Sequence, residues 1–126
     1  MAKARILAVD DQKQIARMVQ ISLEQAGFEV DVAYDGQEAL DKVAADKPDL
    51  VVLDVMMPGM DGWEVLRRLK AKEETASIPV VMLTAKSQDA DLARGWEEGC
   101  DMYLTKPFNP RELVSVVNRV LEGAET

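Results

Sequence analysis

Three almost uninterrupted apolar runs, each only strand length, constrain this chain more than anything else in it: Ile6–Val9, Leu50–Leu53 and Val80–Leu83. Continuous rather than alternating apolarity is the pattern of parallel strands covered on both faces. Glu29-Val30-Asp31-Val32-Ala33 alternates instead, as an edge strand would, and the mixed Asp101–Thr105 reads as the other edge. Helical periodicity fills the gaps. Ile15, Met18, Val19, Ser22, Leu23 and Ala26 share one face of a helix over Gln14–Ala26, which Gly27 stops. Gly36–Ala45 is a second helix, ended by Lys47-Pro48. Trp63, Leu66 and Leu69 mark a third, and Ala93 and Trp96 a fourth closed by Gly99. Leu113, Val116, Val117, Val120 and Leu121 mark a fifth, with Pro110 in its first turn. The expected fold is therefore α/β: a (βα)5 chain forming a doubly wound, parallel, five-stranded sheet.

With 126 residues, the chain can build one compact domain, expected to span 1–126. It contains no apolar run near the ~20 residues of a membrane span and no signal-peptide layout, so a cytoplasmic location is expected. Cys100 is the sole cysteine and reads as a small packed residue. The absence of histidine excludes His-based triads and His-containing zinc sites. A net charge of −8 argues against direct nucleic-acid binding. The basic run Arg67-Arg68-Leu69-Lys70-Ala71-Lys72 reads as a complement to a helix dipole. Trp63 and Trp96 read as helix packing.

In parallel α/β sheets, ligands gather outside the carboxyl ends of the strands. Those ends carry Asp10-Asp11, Asp54, Thr84 and Lys106. Three carboxylates there repel one another, by about 4 kcal/mol for a pair at ~4 Å and an effective dielectric near 20. They stay partly protonated or need a cation, and all-oxygen ligands select Mg²⁺ or a similar ion. A hydroxyl and an ammonium then supply what a phosphoryl group requires. Each residue also has an ordinary structural role: Asp10 or Asp11 as a helix N-cap, Thr84 as a cap, Lys106 as a solvated loop lysine. It is their conjunction at successive strand ends that points to chemistry.

The same residues resemble the receiver domains of bacterial two-component response regulators over essentially the whole chain. The resemblance rests on Val9-Asp10-Asp11, on Leu53-Asp54-Val55-Met56-Met57-Pro58-Gly59-Met60-Asp61-Gly62, on Leu83-Thr84-Ala85 and on Tyr103-Leu104-Thr105-Lys106-Pro107-Phe108. It implies a flavodoxin-like strand order 2-1-3-4-5. It also implies that Asp54 accepts a phosphoryl group from a histidine kinase, a histidine phosphotransfer protein or a small phosphodonor. Asp11 and Asp54 would hold Mg²⁺ (or Mn²⁺) directly, Asp10 through water, and Met56 through its backbone carbonyl. Lys106 would pair with the phosphoryl oxygens and Thr84 would hydrogen-bond them. Tyr103 would be the switch aromatic, and Lys106-Pro107 a cis peptide. The resemblance further implies that Met56 and Lys86 would tune phosphoryl lifetime, an apolar Met56 shielding against water.

The response would repack the face made by the fourth helix, the fifth strand and the fifth helix, and so control a downstream protein. Charge and hydropathy lead us to expect neither direct nucleic-acid nor membrane contact, and a monomer or weak phosphorylation-dependent dimer is expected. An aspartyl-phosphate phosphatase of the haloacid-dehalogenase type would want an Asp where Met56 stands. A flavin-phosphate module would want a Ser/Thr/Gly-rich loop where Asp10-Asp11-Gln12-Lys13 stands. A docking module that works without phosphorylation is the remaining alternative. The chain ends soon after the fifth helix, and no output domain is expected.

Overall fold

The computed structural model describes residues 3–85 and 99–125, with backbone only at 124 and 125. The helix expected around Ala93 and Trp96, and Lys86, lie outside the described residues. In chain order the elements are β1 (Arg5–Val9), α1 (Lys13–Gln25), β2 (Glu29–Ala33), α2 (Gly36–Ala45), β3 (Leu50–Asp54), α3 (Gly62–Ala71), a short α4 (Glu73–Ala76), β4 (Val80–Ala85), β5 (Met102–Lys106) and α5 (Pro110–Glu125). The five strands form one parallel sheet in the order β2-β1-β3-β4-β5. The chain is thus a doubly wound, flavodoxin-like α/β protein. Its reversal point falls between β1 and β3.

Alternation along the strands splits the core into two layers. Leu7, Val9, Val51, Leu53, Val80 and Met82 face one side and pack with Ala39 and Val43 of α2 and Trp63, Val65, Leu66 and Leu69 of α3. Ile6, Ala8, Leu50, Val52, Val81 and Leu83 face the other, against Val19 and Leu23 of α1 and Leu113 and Val117 of α5. Burial of both faces explains why β1, β3 and β4 are apolar throughout. Met57, in the loop between β3 and α3, is buried in the α2–α3 layer.

The sequence-based boundaries shift where side chains intervene. β5 begins at Met102 rather than Asp101, because Asp101 is occupied at the strand entrance: its Oδ2 accepts from the Val80 N–H at 2.8 Å. The four-residue α4 escapes periodicity analysis altogether, being barely one turn. It is fixed instead by Thr75 Oγ1 donating to the Leu69 carbonyl at 2.5 Å and Lys70 Nζ donating to the Ala76 and Ile78 carbonyls, both at 3.0 Å. Within the basic run, then, Lys70 fastens the connection to β4, while Arg67 and Arg68 pair with Glu64.

One contact transmits the position of α3 to the end of β3. Asp61 caps α3, its Oδ1 accepting from Glu64 N–H at 2.9 Å, and Gly62 N–H donates to the Val55 carbonyl at 2.9 Å. A Cβ on Gly62 would overlap the carbonyl oxygen of Asp54 and lie 2.8 Å from Val55 Cα. The obstacle is backbone, which has nowhere to go. We expect Gly62→Ala to destabilise the fold by about 1–3 kcal/mol, the usual range for overpacking. An unchanged urea midpoint and slope would contradict this close approach.

Candidate functional site

The sheet topology brings the ends of β1, β3 and β5 to one edge. Asp10 follows β1, and its backbone N–H extends the ladder by donating to Ala33 O at 3.1 Å. Its Oδ1 accepts from Gln12 N–H at 3.0 Å. The N-cap of α1 is Gln12, which makes no side-chain cap hydrogen bond, so neither aspartate serves as the helix cap. Asp54 is the last residue of β3, in register with Leu83 of β4. Lys106 closes β5 and is no solvated loop lysine: its Nζ lies 3.0 Å from Asp54 Oδ1 and 3.2 Å from Asp10 Oδ2. Asp10 and Asp54 are buried and Asp11 is partly exposed. One oxygen from each of the three lies within 4.8 Å of the others.

Burial of Asp54 pushes its carboxyl up from 3.8 to about 6, and the neighbouring charge of Asp10 adds to the rise. The hydrogen bond and charge of Lys106, and the Met56 backbone, pull the other way without cancelling it. Burial alone would lower the Lys106 ammonium, but its bonds to Asp54 and the charges of both carboxylates outweigh that and hold it above the usual lysine value. A site with two buried carboxylates, a third at the rim and one ammonium remains short of positive charge. Its donors are all oxygens, with no thiolate or imidazole among the three, which suits a hard divalent cation such as Mg²⁺.

Thr84, the penultimate residue of β4, sits one position beyond the register partner of Asp54. Its side chain is buried, and its Oγ1 has no hydrogen-bond partner among the described residues. Such a hydroxyl costs about 1–3 kcal/mol, so it marks a place where an acceptor is wanted. Tyr103 is partly buried against the α2–α3 layer. It shares a face of the sheet with Met82, its partner in register, and hence with Thr84 two positions further along β4. The Met56 side chain is 64% exposed. The Lys106–Pro107 peptide is cis. Cys100 is buried, and burial raises its thiol to about 11, as expected of a packing residue. Among the described residues, no helix is long and apolar enough to cross a membrane.

Comparison with known proteins agrees with this geometry. The family model for the response regulator receiver domain matches residues 6–118. The chain belongs to the response regulator receiver family. It is 46% identical over 121 residues to the alkaline phosphatase synthesis transcriptional regulatory protein PhoP of Bacillus subtilis, covering 96% of this chain and 50% of that protein. The chain thus spans about half the length of that relative. Among solved structures, the chemotaxis protein CheY4 of Vibrio cholerae superposes with a TM-score of 0.89 at 38% identity, over 94% of this chain and 99% of that one. The signal receiver domain of a signal transduction histidine kinase from Syntrophus aciditrophicus gives 0.88 at 37%, over 95% and 91%. As a receiver domain of a two-component system, the chain is a phosphorylatable signalling switch. The residues that sequence reasoning did not single out are Lys13 and Tyr34, whose contact depends on the pairing of β1 with β2.

The elevated carboxyl of Asp54 has a signed consequence for stability. The folded state holds this proton more tightly than the unfolded chain, so stability falls as pH rises from 3.8 to about 6. That gap corresponds to on the order of 3 kcal/mol. In EDTA, the stability of wild type minus that of Asp54→Asn should therefore decline across this window, and Mg²⁺ at neutral pH should recover part of the loss. A difference that stays flat from about pH 4 to pH 7 would contradict the assignment.

Proposed function

We propose that Asp54 takes a phosphoryl group from the phosphohistidine of a histidine kinase or histidine phosphotransfer protein, in a Mg²⁺-dependent reaction, and that the modified chain controls a protein target. The observation that carries this is the buried, unpartnered Thr84 hydroxyl beside the buried Asp54–Lys106 pair. A packed core has no use for an orphan donor, whereas a phosphoryl group arriving on Asp54 brings the oxygens it lacks.

In the proposed step, a carboxylate oxygen of Asp54 attacks phosphorus. The bond from phosphorus to the donor's imidazole nitrogen breaks, its electron pair stays on that nitrogen, and an acyl phosphate forms on Asp54. Lys106, already bonded to Asp54 and Asp10, would shift onto the new phosphoryl oxygens. Asp11, Asp54 and Asp10, with the Met56 carbonyl, would hold Mg²⁺, which when bound offsets the repulsion between carboxylate and phosphoryl group. Thr84 then donates its hydroxyl to a phosphoryl oxygen. Any movement of Thr84 changes the space beside Tyr103 on the same face, so a local charge event can bias the packing of β5 and α5.

The reading is tested by incubating the chain with acetyl phosphate and Mg²⁺ and following mass. Wild type should gain one alkali-labile phosphoryl group and Asp54→Ala none; Lys106→Ala should react about 100-fold more slowly, as when a preorganised charge is removed. Modification that persists in Asp54→Ala, or that needs no divalent cation, would sink the assignment. Thr84→Val offers a separate check. Because it removes an unsatisfied hydroxyl, it should leave the unmodified protein as stable or stabilise it by about 1 kcal/mol. It should also abolish phosphorylation-dependent shifts in the Tyr103 ring signals. Marked loss of stability would mean that the hydroxyl already has a partner.

A further inference from the structure

Lys13 opens α1 two residues after Asp11 and is exposed. The acidic side chain nearest to it in sequence is the Asp11 carboxylate. The Lys13 ammonium is instead found over the Tyr34 ring, its Nζ 5.5 Å from the centroid, and takes part in no ion pair among the described residues. The ring is not a loose neighbour. Tyr34 follows β2 directly, its N–H donates to Glu38 Oε1 at 2.6 Å, and the preceding carbonyl, that of Ala33, accepts from Asp10 N–H at 3.1 Å. The backbone that fixes Tyr34 is thus the backbone that fixes the acid pair. Tyr34 remains 41% exposed and belongs to neither core layer.

We propose that Tyr34 is a positioning residue for the metal site: its ring holds the Lys13 ammonium off Asp11 and leaves that carboxylate to a divalent cation. The inference rests on the reading of Asp10, Asp11 and Asp54 as a Mg²⁺ site. An ammonium paired with Asp11 must be displaced before a metal can bind, so every such pair weakens metal affinity. A cation over an aromatic face is held without occupying a carboxylate, by an attraction suited to an exposed site. Lys13 therefore stays at the rim of an acidic site without neutralising it.

The test is a double-mutant cycle on Mg²⁺ affinity, measured by titration of the full chain without any phosphodonor. Tyr34→Leu keeps bulk but removes the π face, and should weaken Mg²⁺ binding about two- to fivefold, the fold-change matching an exposed cation–π contact. Tyr34→Phe keeps the face and should bind as wild type does. In a Lys13→Gln background, Tyr34→Leu should have no effect. In Mg²⁺-free protein, the Asp11 carboxyl carbon resonance should move in Tyr34→Leu and return in the double variant. Wild-type affinity in Tyr34→Leu, or equal weakening with and without Lys13, overturns the proposal. If wild type binds no Mg²⁺, or binds it equally after Asp11→Asn, the metal-site reading itself fails and takes this inference with it.

Discussion

The shared ammonium of Lys106 is the interaction on which the rest of the site depends. Asp10 and Asp54 are both buried, on strands adjacent in the sheet, and their repulsion would be costly in a poorly solvated environment. Lys106, from the far edge strand, reaches both at 3.0–3.2 Å and makes their coexistence tolerable. The compensation is incomplete, since Asp54 still has its carboxyl raised to about 6 and Asp11 adds a third charge at the rim. Residual acidity of this kind is what a site needs if a metal and then a phosphoryl group are to be welcome.

The scaffold serves that arrangement by being rigid on both sides. Two apolar layers clamp β1 and β3 from opposite faces, so the residues at their ends emerge from strands that cannot slip: a one-residue slip would exchange the layers. The close approach of Gly62 to Asp54 and Val55 then couples α3 to the end of β3 through backbone rather than through a flexible side chain. Against this fixed frame, Thr84 stands out as the one side chain in the described residues that is buried, polar and unpartnered. Order around a single unsatisfied group favours a two-state response, because a new bond there is not offset by the loss of an old one.

Much of this was legible in the residues. Uninterrupted apolar runs in β1, β3 and β4 announced strands covered on two faces, and the polar residues closing the strands announced the edge where chemistry sits. Elements governed by individual side-chain bonds were not legible, α4 being too short to show a period, and neither was the burial of the loop residue Met57. Nor could the sequence reveal that Thr84 lacks a partner among the described residues or that Lys13 lies over the Tyr34 ring, since both are facts about neighbours brought in by other strands.

By itself, then, the sequence determined the alternation of strands and helices, the burial of the central strands and the identity of the acids, hydroxyl and lysine at their ends. Hydrophobic periodicity and residue chemistry are local properties, and local properties can be read in one dimension. Only the tertiary structure decided the distances: that Lys106 bridges Asp10 and Asp54, that burial raises the carboxyl of Asp54, and that α3 rests on the backbone beside it. Those depend on which strands lie next to each other and how deeply their ends are buried, and both are set by packing across the whole sheet.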